Sequence, residues 1–273
     1  MLALGAVTAW LAGRRREPLP RLSQLPGGRR WALLAAGLAG AVLNVAIFIA
    51  FQRTTIALVL ITFYTFPAMV TVAAIRLYGE RLTAARLAAL LLSSAGLLLV
   101  VLAPALETGE LALDLLGVGL ALFAAVCQAA FILLSARGYA PFRSIHVATY
   151  LIGMAVAISL VLLLVGVSSG LPALAVPLDN PAAWSWVIFA GIGAAAIPTV
   201  ALLAGMRMVG PTRTAILMTF EPVVGVALAG LLLGERPGPL QLVGGAAVLI
   251  AAVVLQLAPR AQVEAEEAEV RTV

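Results

Sequence analysis

Glu221 stands beside Pro222 at the head of a long apolar run, "FEPVVGVALAGLLLGER" (220–236). Of the twelve acidic residues it is the one far from the end of any apolar segment, eight positions after Arg213. A charge at the centre of a bilayer costs at least ~2.5–3.5 kcal/mol, so a carboxylate placed there calls for a reason. Two chemistries suit it: taking and releasing a proton, or holding a cationic solute. A purely structural role is the third reading. Pro222 has no amide hydrogen and leaves the carbonyl of Met218 without its helical donor. A protonated Glu221 can donate to such a carbonyl, or to a neighbouring helix, and act only as a tie.

The other polar groups at depth are Asn44 and Gln52, then Thr62, Tyr64 and Thr65 just before Pro67, and Gln128 and Thr219. Asn44, Tyr64 and Gln128 are the strongest candidates for solute contact, with Thr219 beside Glu221. Interhelical hydrogen bonding accounts for any one of them taken alone. His146 and Tyr150 fall near one end of their segment, where His146 is expected at the interface. Pro67 and Pro222 mark kinks, usable as hinges or present as static bends. Gly79 and Gly234 are expected to cap helix C-termini in the left-handed region. Glu80 and Glu235, with Arg81 and Arg236, then hold those turns at the membrane surface.

These residue types exclude several functions. Cys127 is the only cysteine and His146 the only histidine, so neither a disulfide nor a Cys/His metal cluster is expected. Intramembrane catalysis needs a nucleophile–base pair or a carboxylate cluster, and neither is present. The phosphate-binding pattern G-x-x-x-x-G-K-[ST] is absent, which argues against ATP-driven transport by this chain. No cofactor is expected. All seventeen basic residues are arginine, and no basic cluster alternates with exposed aromatics, so the net charge of +5 does not point to nucleic acid.

The elements that must position these groups are membrane helices. The chain has 273 residues, 63% hydrophobic and 11% charged, with a mean hydropathy of +1.12. A soluble domain is nearer half apolar and one quarter charged. Apolar runs of the length that crosses ~30 Å of hydrocarbon as helix fall at about 31–51, 55–77, 84–103, 112–135, 145–168, 183–206, 213–233 and 239–258. The run at 1–13 would reach only ~20 Å, too little for a crossing. No basic leader with an Ala-x-Ala cleavage site precedes the first charges. A charged tail, 259–273, follows the last run. Placing 14–30 in the cytoplasm puts every arginine except Arg53 and Arg236 on the cytoplasmic side, and the C-terminus with them. Trp10, Trp31, Trp184 and Trp186 sit near segment ends, as interfacial anchors do.

The chain also repeats. "TFPAMVTVAAIRLYGER" (65–81) has the proline and the Gly-Glu-Arg ending of 220–236, both at an offset of 155 residues, with Phe66 in place of Glu221. The same offset pairs 183–206 with 28–51, and 145–168 with the short run at 1–13. Five segments per unit is an odd number, so the second unit enters the membrane with opposite polarity. Inverted repeats of this kind are typical of secondary transporters, with the solute bound at mid-membrane. The stripes Gly37, Gly40 and Ala41, and Gly225, Ala229 and Gly230, favour close helix packing.

Together these features resemble the EamA-type permeases of the drug/metabolite transporter superfamily. The most specific stretch is "GMRMVGPTRTAILMTFEPVVGVALAGLLLGERPGPLQLVGGAAVLIAAVVL" (205–255), similar to the family's ninth and tenth helices. "LVLITFYTFPAMVTVAAIRLYGERLTAARLAALLLSSAGLLLVV" (58–101) is similar to the matching piece of the first unit, and "LDLLGVGLALFAAVCQAAFILLSARG" looks like the sixth helix. The resemblance implies an all-α polytopic protein of two inverted five-helix units, here 1–103 and 112–258. The family's first helix and part of its second are lacking. A mis-assigned start or a fragment accounts for that better than a working nine-helix carrier.

The implied function is secondary transport of small metabolites, amino acids or drugs by alternating access, with export the commoner direction and proton coupling open. The partners would be a small-molecule substrate, membrane lipid and protons, and a homodimer is compatible with this reading. The location would be the bacterial inner membrane. A lipid or glycan flippase is the alternative. A partner-dependent or inactive membrane protein is the reading of a different class.

Overall fold

In the computed structural model, residues 19–79, 82–108, 113–136, 138–139, 141–164, 183–233 and 237–257 are described. Among them there is no strand. A single 3-10 turn, Leu22–Gln24, leads into ten helices. They are α1 (Gly27–Arg53), α2 (Ile56–Phe63), α3 (Phe66–Tyr78), α4 (Ala84–Thr108), α5 (Leu115–Ala136), α6 (Ser144–Leu164), α7 (Ala183–Val209), α8 (Pro211–Met218), α9 (Glu221–Leu233) and α10 (Pro239–Leu257). In hydrocarbon a helix is the one open-ended structure that bonds every backbone group within itself, so apolar runs this long fold no other way.

Among the described residues, seven stretches are long and apolar enough to cross a membrane: α1, α2 with α3, the first 20 residues of α4, α5, Ser144–Leu162 of α6, α7, and Pro211–Leu232. The apolar part of α10, Pro239–Leu255, is shorter. The run at 1–13, the tail from 259 and the second Gly-Glu-Arg triplet lie outside the described residues.

Two spans are interrupted at matching positions. α2 stops at Phe63, Tyr64 and Thr65 form a turn, and α3 begins at Phe66 with Pro67 in its first turn. α8 stops at Met218, Thr219 and Phe220 form a turn, and α9 begins at Glu221. Every boundary of the second pair is that of the first moved by 155 residues, and α10 begins 155 residues after α4. Proline explains why the break falls where it does. Its ring disfavours helical geometry in the residue before it and removes a donor, but fits the opening turn of a new helix. The turns close with shorter bonds, Thr65 N–H to the Thr62 carbonyl at 3.3 Å and Thr219 N–H to the Ile216 carbonyl at 3.1 Å.

Contacts divide the chain into two compact units, residues 1–45 with 130–210, and residues 46–129 with 211–273. In the first, Leu33 and Ala36 of α1, Val147, Ala148, Leu151 and Ile152 of α6 and Leu203 of α7 share a core with Leu25, Tyr139 and Phe142. The middle of α7, Phe189–Ala196, is wound as a π-helix ahead of Pro198. His146 is buried in this unit, edge-on to Phe142 at 6.4 Å. The Tyr150 hydroxyl donates to the Pro20 carbonyl at 2.6 Å.

In the second unit α10 packs along α4, and α8 packs against α3, α4 and α10. Ala89, Leu90, Ile216, Ala251 and Leu255 form one buried cluster there, and Ala50, Val59 and Ala121 another. Gly79 closes α3 in the left-handed region, at φ 65° and ψ 23°, its N–H donating to the Ala74 carbonyl. A side chain at this φ costs roughly 1–2 kcal/mol, which glycine avoids.

At the other end of the unit Asp114 caps α5. The N–H groups of Leu116 and Gly117 donate to Asp114 Oδ1 at 2.7 and 3.2 Å. Asp114→Ala should therefore lower thermal stability in detergent by about 0.5–2 kcal/mol, and Asp114→Asn should retain most of it. Equal melting temperatures for the wild type and Asp114→Ala would remove this capping role.

Candidate functional site

Both breaks belong to the second unit, and side chains from one reach the other. The Tyr64 hydroxyl, in the turn between α2 and α3, donates to Glu221 Oε2 at 3.4 Å. Glu221 is thus partnered, where its sequence context suggested a lone carboxylate, and it is exposed while Tyr64 is buried. A bond of 3.4 Å is long, and it leaves the carboxylate with lone pairs to offer. The burial of Tyr64 comes from its ring. Phe63 and Phe66 stand 5.3 and 5.8 Å from it, and 5.3 Å from each other, in edge-on and tilted arrangements that aromatic pairs favour.

Gln128 approaches the same place from α5. Its Nε2 donates to the Met218 sulfur at 3.7 Å, and the side chain is buried. Met218 is the residue before the second turn, and Phe63, 155 positions earlier, is the residue before the first. Thr219 is 1% exposed, and its hydroxyl donates to the Ile216 carbonyl at 2.6 Å. The hydroxyls of Thr65 and Thr71 likewise bond the carbonyls of Thr62 and Pro67, at 2.7 and 2.8 Å. The hydroxyl protons of Thr65, Thr71 and Thr219 are therefore already engaged with backbone carbonyls.

The remaining candidates fall elsewhere. Asn44 belongs to the first unit and is exposed, its amide donating back to the Gly40 carbonyl at 2.7 Å. Gln52 and Thr65 are exposed as well, not buried as their positions within apolar runs suggested. Pro67 is buried and Pro222 half-buried, each inside the first turn of its half-helix. Glu80, Gly234 and Glu235 lie outside the described residues.

Sequence reasoning passed over Phe63, Met218 and Thr199. Thr199 donates to the Ala195 carbonyl at 2.7 Å, the same bond that Asn44 makes, displaced by 155 residues. The repeat offset, applied to Tyr64's neighbour Phe63 and to Asn44, would have found Met218 and Thr199. Among the described residues no three His, Cys, Asp or Glu side chains gather where a metal could bind.

Seven helical stretches of membrane length, with two spans broken at repeat-related positions, define a multi-pass membrane protein built on an internal duplication. The chain belongs to the EamA-like transporter family, which it matches over residues 1–102 and 115–257, and it is a membrane transporter of the drug/metabolite kind. Solved structures agree on the fold, with twenty-six chains matching. One, described as a crystal structure of a protein, superimposes with a TM-score of 0.75 at 22% identity, covering 93% of this chain and 84% of that one. Among curated proteins none matches in sequence.

Proposed function

We propose that the chain is a secondary transporter that exports small metabolites, amino acids or drugs by alternating access, with Glu221 as its coupling carboxylate. The observation that carries this reading is the meeting of the two helix breaks at Tyr64 and Glu221, 3.4 Å apart. Broken helices free backbone groups and open half-helix ends at mid-membrane, where secondary transporters hold solute and coupling ion. Pro67 and Pro222 serve as the hinges, because each half-helix restarts at them without a bond to the half before. Tyr64, Gln128 and Thr219 line the site.

Protonation of Glu221 removes the charge that Tyr64 donates to, which loosens the tie between the breaks and links proton uptake to movement. Tyr64 is the ionisable group in contact with it. The helices packed around it carry Arg76 and Tyr78 on α3, Arg86 and Glu107 on α4, Cys127 on α5 and Arg213 on α8, while α10 carries none. The protein sits in a bacterial inner membrane with its arginine-rich loops and C-terminus in the cytoplasm, and residues 1–103 and 112–258 are its two repeats.

The test is the purified chain in sealed vesicles with an imposed pH gradient, scored for uptake of a panel of labelled amino acids and small drugs. Gradient-dependent accumulation of at least one solute above empty vesicles is expected. Accumulation that ignores the gradient would remove proton coupling, and none for any solute would remove the transport reading.

A further inference from the structure

We propose that the solute taken at the Tyr64–Glu221 site is an organic cation, an ammonium group that brings its own N–H donors on an apolar, aromatic-sized body. This rests on the transport reading and narrows it. Thr65, Thr71 and Thr219 direct their hydroxyl protons to backbone carbonyls at 2.6–2.8 Å, and one N–H of the Gln128 amide is directed at the Met218 sulfur. Tyr64 gives its proton to Glu221 itself. What the site still offers is acceptor capacity, namely an exposed carboxylate with free lone pairs, together with the rings of Phe63 and Tyr64 and the thioether of Met218.

Such a site is wrong for an anion, which would meet the carboxylate of Glu221. It is poorer for a sugar or other polyol, since Tyr64, Thr65, Thr71 and Thr219 already direct their protons to other acceptors. An ammonium group fits, because carboxylate and ring faces both favour positive charge and a ring adds roughly 0.5–2 kcal/mol when solvent is excluded. An apolar body fits because the rest of the lining is Phe63, Met218 and Phe220, all half-buried.

The experiment compares three probes with one body and three head groups, 2-phenylethylammonium, 2-phenylethanol and 3-phenylpropanoate, binding to the full purified chain in detergent by titration calorimetry. The ammonium is expected to bind at least about tenfold more tightly than the alcohol, since an ion pair away from bulk water exceeds the ~1.4 kcal/mol that a factor of ten requires. The carboxylate probe should not saturate. In Glu221→Gln, checked for an unchanged gel-filtration profile, the preference for ammonium should vanish, and in Glu221→Asp it should persist.

Equal binding of alcohol and ammonium, tighter binding of 3-phenylpropanoate, no ammonium binding at all, or a preference that survives Glu221→Gln would overturn the proposal. Counterflow in vesicles separates this inference from the transport reading. Selective ammonium binding without counterflow of any solute defeats transport alone. Counterflow of neutral solutes with no preference for ammonium defeats the cation alone.

Discussion

Glu221→Gln is expected to fold normally and to lower the pH-gradient-driven transport rate at least about tenfold, because it removes the one carboxylate set at depth in an apolar run. The amide has the shape of the acid, and its carbonyl can still accept the Tyr64 proton that now reaches Oε2 at 3.4 Å. What is lost is the ability to take and release a proton. The cost in stability should be small, no more than about 1 kcal/mol, from losing an acidic side chain in the first turn of α9.

Tyr64→Phe separates the coupling role from the structural one. It deletes the tie but keeps the carboxylate, whereas Glu221→Gln keeps an acceptor for the Tyr64 proton, so a tie alone predicts that Tyr64→Phe unfolds earlier and transports worse than Glu221→Gln. The coupling reading predicts that Tyr64→Phe keeps a pH-dependent rate and Glu221→Gln does not. Wild-type rates and pH dependence in Glu221→Gln would end the coupling assignment.

The second large effect is structural. α4 and α10 cross at Gly96 and Gly244 with backbone against backbone. A Cβ on Gly96 would stand 2.6 Å from the Gly244 carbonyl oxygen. One on Gly244 would stand 2.5 Å from the Gly96 carbonyl oxygen and 2.8 Å from Leu99 Cβ. No flexible side-chain end is available to move aside, so the helices themselves must part. Gly96→Ala or Gly244→Ala should each cost about 1–3 kcal/mol, and leucine at either position should prevent the protein from accumulating in the membrane.

Gly225→Ala is the control. Nothing lies within 4 Å of a Cβ there, so replacement in a helix interior should be neutral or gain up to about 1 kcal/mol. A melting curve of Gly244→Ala indistinguishable from that of Gly225→Ala would show that the crossing tolerates separation.

That contrast also marks where sequence reading stops. Gly37, Gly40, Gly225 and Gly230 carry the small-residue spacing that signals close packing. Yet the unyielding approach is at Gly96 and Gly244, outside the stripes singled out from the sequence. Gly37 is close to the Met154 sulfur, the end of a flexible side chain, and Gly40 meets Phe131 at an ordinary 3.6 Å. In a soluble helix the buried face is apolar and the other polar, so the pattern names the contact surface. Here Leu91 and Leu98 are exposed while Leu90 and Leu97 are buried, all on α4 and all leucine. Lipid and protein interior ask for the same residues, so the pattern says how long a helix is and not which side it packs.

The sequence alone determined the quantities that depend on local composition. The apolar runs gave the helices because hydrocarbon leaves the backbone no other partner. Pro67 and Pro222 gave the places where two spans break, and the offset of 155 residues gave the duplication that those breaks repeat boundary for boundary. It also singled out Glu221 as the carboxylate needing a reason. Only the tertiary structure decided what Glu221 meets: Tyr64, at the other break, 157 residues away along the chain. It also bonded the Asn44 side chain within its own helix and brought Met218 to Gln128. Contacts between distant segments depend on which faces of uniformly apolar helices turn together, and one-dimensional composition carries no record of that choice.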